Sequence, residues 1–104
     1  MKTIVIVNPQ AGNGRTEKIW PQIESELKQS IGSFQIMQTV RRNDATYLSR
    51  MILKEDAARI VAIGGDGHLN EVVNGFFEND LPINPEARLS FVMTGTGCDF
   101  QRSL

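Results

Sequence analysis

The sequence predicts a single α/β domain in which the strands of a parallel sheet alternate with helices. Short apolar runs rich in β-branched residues recur along the chain, and segments with helical spacing of apolar residues separate them. Glycine-rich turns follow three of the four runs, as is common at the ligand-binding edge of such a sheet. The 104 residues, 40% hydrophobic and 22% charged, suffice for one modest core.

Four strands and three helices follow from these patterns. Strands are predicted at 2–7, 34–40, 59–63 and 88–93. Helices are predicted at 15–30, from Asn43 or Asp44 along the face of Ala45, Leu48 and Ile52, and at 68–77. Residues 79–85 are predicted as a loop, and another helix is expected to begin just before Leu104.

Residues 64–75 read Gly-Gly-Asp-Gly-His-Leu-Asn-Glu-Val-Val-Asn-Gly and directly follow the third apolar run. Glycine lets a ligand approach the backbone closely, and the unpaired N–H groups at a helix start suit phosphate. Asp66 would repel a bare polyphosphate, so it indicates a metal ion or a hydroxyl partner nearby. The turns could be tight connections only, and Asp66 could simply cap the helix. Three such turns on one edge favour a ligand site.

Composition and missing motifs exclude several other functions. The net charge of −1 gives no reason to expect nucleic acid as a partner, and no apolar run is long enough for a transmembrane segment. The single cysteine, Cys98, fits a reducing cytoplasm. The sequence lacks the Walker phosphate loop, the complete dinucleotide fingerprint and a cluster of zinc ligands. The basic pair Arg41-Arg42 is interpreted as part of a solvated loop.

Four segments together resemble the catalytic domain of the diacylglycerol kinase family, which includes sphingosine, ceramide and bacterial lipid kinases. Residues 64–75 are similar to its signature, and Asn-Pro-Gln-Ala-Gly at 8–12 resembles its first motif. Thr39 with Asp44-Ala45, and Gly-Thr-Gly-Cys-Asp-Phe at 95–100, resemble two further segments. The matches occur in the family's order along nearly the whole chain. Gly-Gly-Asp-Gly alone is shared with NAD kinases, so an NAD kinase-like domain is an alternative.

The resemblance implies an ATP site with Mg²⁺, and Asp66 near the metal ion and the phosphates. Asn70 and Glu71 would hold the turn and helix in place, or be structural only. The implied nucleotide-binding residues lie at or just after the strand ends and are Asn8, Pro9, Ala11, Gly12, Thr39, Gly64, Gly65, Asp66, Gly67, His68, Asn70, Glu71, Gly95 and Thr96.

Two residues depart from the family pattern. His68 stands where the family usually has threonine, and Cys98 stands where it usually has asparagine. His68 is expected to face solvent or phosphate rather than the core. Both departures favour a second alternative, in which the chain is a non-catalytic nucleotide-binding or regulatory module.

The resemblance also implies that residues 1–104 are the N-terminal nucleotide-binding domain of a longer lipid kinase. A second, β-rich domain would carry the general base, most metal ligands and the lipid site, including any peripheral membrane contact. No catalytic residue is therefore predicted within this chain, and the chain alone is expected to be inactive. An apolar surface left without that domain predicts self-association into a homo-oligomer.

Overall fold

A computed structural model describes residues 2–55 and 57–94, together with the backbone of residues 101–103. The strands are β1 (Thr3–Val7), β2 (Gln35–Gln38), β3 (Arg59–Gly64), β4 (Phe77–Glu78), β5 (Leu81–Pro82), β6 (Arg88–Met93) and β7 (Gln101–Ser103). The helices are α1 (Arg15–Ile31), α2 (Asp44–Lys54) and α3 (Asp66–Gly75). None of the helices in this described part is long and apolar enough to span a bilayer.

The main sheet has the strand order β2-β1-β3-β6-β7. Its first four strands are parallel, and β7 pairs antiparallel with β6. The central strands β1 and β3 are buried almost throughout, because helices cover both faces of the sheet. The predicted parallel α/β architecture is therefore confirmed.

Each face of the sheet has its own hydrophobic core. Alternate residues of β1 point to opposite faces, with Ile4 and Ile6 on one side and Val5 and Val7 on the other. The first pair packs with α2 and α3, whereas the second packs with Ile23 and the rest of the apolar stripe of α1. The loops that leave β1 and β3 therefore diverge to opposite faces of the sheet.

This divergence creates a topological switch point at the carboxyl ends of β1 and β3, and open α/β sheets bind their ligands at such a point. The Asn8 backbone N–H donates to the Ile63 carbonyl at 2.9 Å and holds the two strand ends together. On the other side of β1, the Thr39 N–H donates to the Val7 carbonyl at 3.0 Å. The first, second and third strands thus end side by side.

Several predicted boundaries differ from the structure. The strand predicted at 34–40 is limited to β2, and α3 begins two residues earlier than predicted because Gly65 already serves as its N-cap. Part of the loop predicted at 79–85 belongs to the β4-β5 hairpin, whose turn residues Asn79 and Asp80 both have positive φ. Residues 101–103 form β7, so the prediction of a helix near the end of the chain is wrong.

The α2–α3 contact is unusually close and relies on small polar residues. The Thr46 hydroxyl donates to the Glu71 carbonyl at 2.7 Å, and the Ser49 hydroxyl lies 3.2 Å from the Val72 carbonyl. Gly75 faces the same two residues of α2. These hydrogen bonds place the cleft-facing start of α3 at a fixed distance from the start of α2.

Candidate functional site

A cleft of about 340 Å³ lies at the carboxyl ends of β1 and β2, beside the first turn of α3. It is enclosed by the loop after β1, the loop between β2 and α2, and the start of α3. The lining residues are Asn8, Gln10, Thr39, Val40, Arg41, Arg42, Gly67, His68 and Glu71. Five of these nine residues, Asn8, Thr39, Gly67, His68 and Glu71, were predicted from the sequence.

The first turn of α3 supplies free hydrogen-bond donors to this cleft. Gly65 is the N-cap, and among residues 2–55 and 57–94 no side chain makes a cap hydrogen bond to the helix. Leu69 is the first residue of the helix whose N–H makes a hydrogen bond, to the Gly65 carbonyl at 3.0 Å. Asp66 is exposed and makes no cap hydrogen bond, so the capping alternative is not realised. The partial positive charge of this turn is therefore available to an anion.

Gly64 and Gly67 have different surroundings. A Cβ at Gly64 would lie 2.8 Å from His68 Cδ2, so the imidazole itself fills the space that a side chain there would need. A Cβ at Gly67 would meet no atom within 4 Å. Glycine inside a helix costs about 1 kcal/mol relative to alanine, and packing offers no reason for it at position 67. Close approach of a ligand to the α3 backbone would explain this glycine.

The glycine-rich turn after β1 makes hydrogen bonds to the start of the helix that follows it, α1. Carbonyls of the turn accept the first N–H groups of α1, including Thr16 N–H to Ala11 at 3.2 Å and Glu17 N–H to Pro9 at 3.1 Å. Gly12 has a φ of 67°, a value that glycine adopts without strain. The start of α1 is therefore occupied by backbone oxygens, in contrast to the open start of α3.

A buried pair of hydroxyls fixes this turn against the sheet. The hydroxyls of Thr16 and Thr94, both almost fully buried, hydrogen-bond to each other, and the Thr16 hydroxyl also lies 3.1 Å from the Ala11 carbonyl. The sequence analysis missed this pair, because the two threonines are 78 residues apart and neither belongs to a motif. The contact joins the first turn to the end of β6.

The His68 ring is buried in the fold rather than directed outward, so the expectation that it avoids the core is wrong. Its side chain is only 6% exposed, and Nε2 lies 2.9 Å from the Ile6 carbonyl oxygen. Because a carbonyl can only accept, Nε2 carries the hydrogen. The ring crosses over Gly64 to reach β1, so it ties α3 to the centre of the sheet. Burial lowers the pKa of His68, against smaller opposite effects of the Ile6 hydrogen bond and the Glu71 charge.

We expect the stability of the chain to fall as pH drops below the unfolded-state pKa of His68, 6.5. Below pH 6.5 the unfolded chain binds a proton at His68 that the folded chain still resists, so the free energy of unfolding decreases as the pH falls from 6.5 to the lowered pKa of the folded chain. Above pH 6.5 the free energy of unfolding is fully retained. Urea unfolding across this range should show the loss in the wild type and a smaller loss in His68→Gln, whose amide can donate to Ile6. His68 is the only histidine, so NMR titration of its ring is unambiguous. A ring pKa at or above 6.5 would contradict this account.

Two carboxylates brace the loop between β2 and α2. Asp44 Oδ2 accepts the backbone N–H groups of Val40 at 2.8 Å and Arg41 at 3.0 Å, and these bonds lower the pKa of Asp44. Glu71 Oε1 accepts the Asn43 N–H at 3.1 Å, so α3 supports the same loop. This contact of Glu71 is with the loop before α2, not with the glycine turn that Glu71 was predicted to hold. The loop is solvated, as predicted, but Arg41 and Arg42 also line the cleft.

The remaining predicted residues lie around the cleft rather than in its lining. Pro9 lines an adjoining hollow of about 180 Å³ that also includes Trp20. Asn70 is exposed on α3. Ala11, Gly12, Gly64, Gly65 and Asp66 belong to the two turns that flank the cleft. Gly95, Thr96 and Cys98 lie outside the described residues.

The metal prediction depends on one exposed carboxylate. Within residues 2–55 and 57–94, no three His, Cys, Asp or Glu side chains come together as a ready metal site. Mg²⁺ is often held by one or two carboxylates and completed by substrate phosphates and water. Asp66, exposed at the first position of α3, suits that arrangement.

The fold and the cleft together define an open-sheet α/β domain with free backbone donors in a cleft beside its topological switch point. Residues 2–104 match the diacylglycerol kinase catalytic domain, and the chain belongs to this family.

Related proteins and a solved structure agree with this assignment. The chain is 37% identical to a diacylglycerol kinase of Staphylococcus haemolyticus over 100 residues, covering 96% of this chain and 29% of that protein. It is 31% identical to a diacylglycerol kinase of Bacillus subtilis, covering 96% and 32%. A crystal structure of a diacylglycerol kinase from Bacillus anthracis superposes with a TM-score of 0.73 at 26% identity, covering 90% and 33%. The chain therefore spans about a third of the length of these relatives.

Proposed function

We propose that this chain is the ATP-binding part of a lipid kinase that phosphorylates a diacylglycerol-like hydroxyl in the cytoplasm. The observation that carries the proposal is the uncapped start of α3, with unobstructed Gly67, facing a cleft in a member of this family. Membership of the family favours this interpretation over an NAD kinase-like domain. The name diacylglycerol kinase, which the two relatives carry, supports the lipid class of the acceptor.

In the proposed reaction, the lipid hydroxyl attacks the γ-phosphorus of ATP, the bond to the β-phosphate oxygen breaks, and ADP leaves. The hydroxyl proton passes to a base outside residues 1–104. The task of this chain is to bind and orient ATP, with the α3 N–H groups directed at the phosphates and Asp66 beside them. Bound Mg²⁺ would neutralise phosphate charge, with Asp66 as one of its protein ligands.

The non-catalytic alternative loses one of its two arguments. His68 was taken as a change in a phosphate-facing turn, but its Nε2 donates to Ile6 inside the fold. The histidine therefore leaves the N–H groups of α3 available. Position 98 lies outside the described residues, so the second argument stays open.

Calorimetric titration with ATP tests the proposal through the metal dependence of Asp66. With Mg²⁺ present, we expect Asp66→Asn to weaken ATP binding at least about fivefold, the scale of one lost charge interaction of roughly 1 kcal/mol. Without Mg²⁺, the same substitution should strengthen binding, because it removes a negative charge beside the phosphates. Asp80→Asn, at the exposed β4-β5 turn, is the matched control.

Two outcomes would contradict the proposal. One is an absence of saturable ATP binding by the wild type; the other is equal binding of ATP and NAD, used as a parallel ligand. Similar responses of Asp66→Asn with and without Mg²⁺ would contradict only the metal role of Asp66.

A further inference from the structure

We propose that Arg41 and Arg42 form a clamp on the β- and γ-phosphates of the nucleotide, and that Asp44 positions this clamp. The inference rests on the proposed ATP site and adds the residues that would distinguish nucleoside triphosphates from monophosphates. It starts from the loop between β2 and α2, whose two arginines the sequence analysis interpreted only as solvated.

Both guanidinium groups keep their donors available. Arg41 and Arg42 are exposed, and neither takes part in an ion pair within the described part of the chain. Asp44 and Glu71 each direct one carboxylate oxygen at backbone N–H groups of the loop, and the Arg41 charge acts on Asp44 without forming an ion pair in the described part of the chain. Guanidinium groups bind phosphate through paired hydrogen bonds, so two free ones favour a polyphosphate.

The arginines share a cleft with the start of α3. Arg41, Arg42 and Gly67 all line the same space of about 340 Å³, which is too small to separate them into unrelated sites. A phosphate at the uncapped turn of α3 would lie within the range at which charges interact strongly in a partly enclosed site. The α3 backbone would hold one side of the phosphate chain, and the arginines would hold the other.

The backbone that carries the arginines is set before any ligand binds. Asp44 fixes the N–H groups of Val40 and Arg41 at 2.8 and 3.0 Å, and the carboxylate lies at the first position of α2. An aspartate that braces this loop of residues 39–43 removes much of the freedom the loop would otherwise lose on binding. Asp44 is thus a positioning residue, which acts through the arginines.

The test compares ATP, ADP and AMP by calorimetry. We expect the double variant Arg41→Gln/Arg42→Gln to lose at least about tenfold in affinity for ATP and less than about twofold for AMP, with ADP between them. The loss should shrink as salt is raised. Arg88→Gln is the control, since Arg88 is an exposed arginine at the opposite ends of the strands.

Asp44→Asn separates positioning from simple structural support. It should weaken ATP binding severalfold in the wild-type background and have no further effect when both arginines are glutamine. A purely structural role would weaken binding equally in both backgrounds, which would overturn the role of Asp44. Urea unfolding of each variant shows whether the fold is intact.

The clamp and the ATP site can fail separately. If the double variant lost equal affinity for ATP and AMP, or none for either, the clamp would be overturned. The proposed function would still be upheld if the wild type bound ATP. No ATP binding by the wild type would overturn both. Tripolyphosphate, titrated alone, should bind the wild type more tightly than the double variant, and equal binding would also count against the clamp.

Discussion

Gly75→Ala should lower the free energy of unfolding by about 2 kcal/mol, although alanine is the better helix former. An ideal Cβ at this position would overlap Ser49 Oγ and lie 2.6 Å from the Thr46 carbonyl oxygen. The hydroxyl can rotate away, but the carbonyl belongs to the backbone of α2 and cannot. The helices must therefore separate, which weakens the Thr46 and Ser49 hydrogen bonds to α3.

Urea unfolding of a double-mutant cycle identifies the cause. Ser49→Ala removes the nearest atom, so Gly75→Ala should cost less in that background than in the wild type. The backbone contact with Thr46 remains, and the cost should not disappear. A change of less than about 0.5 kcal/mol for Gly75→Ala in the wild type would show that the two helices are not packed this closely.

Gly67→Val should weaken ATP binding by at least about tenfold while leaving stability within about 0.5 kcal/mol of the wild type. The position has open space around it, and valine is no worse than glycine in a helix. A branched side chain would nevertheless occupy the approach to the free N–H groups of α3. Gly67→Ala should give an intermediate loss of affinity.

Calorimetry and urea unfolding must be performed on the same protein samples. Asn74→Val is the matched control, because it places the same side chain at an exposed position near the other end of α3. It should leave the affinity unchanged. If Gly67→Val bound ATP as the wild type does, phosphate contact with this turn would be excluded. A loss of stability above about 1 kcal/mol would mean that Gly67 is a packing residue.

Local patterns predicted the elements that depend on periodicity. β6 was predicted at its observed bounds, and α1 was predicted to within one residue, because apolar spacing defines each of them. The start of α3 was placed two residues late, since the glycines and Asp66 obscure the helical pattern of its first turn. The β4-β5 hairpin was missed because its turn requires positive φ at Asn79 and Asp80, and neither position is glycine.

The unpredicted parts of the site depend on contacts between distant residues. The buried position of His68 requires a missing Cβ at Gly64 and a carbonyl at Ile6, which is 62 residues away in the chain. The sequence places His68 at a ligand-binding edge, but it cannot show which way the ring turns. The brace formed by Asp44 is local, and its spacing to Val40 and Arg41 could have revealed it as a turn-closing aspartate.

The most direct test of the central claim is a two-dimensional ¹H–¹⁵N NMR titration of the chain with ATP and Mg²⁺. The amides of Gly67 and His68, at the start of α3, should show the largest shifts, followed by Asn8 and Thr39 across the cleft. Arg88, at the opposite ends of the strands, should stay unchanged. Binding that shifted Arg88 and its neighbours while the start of α3 was unaffected would contradict a nucleotide site at this cleft.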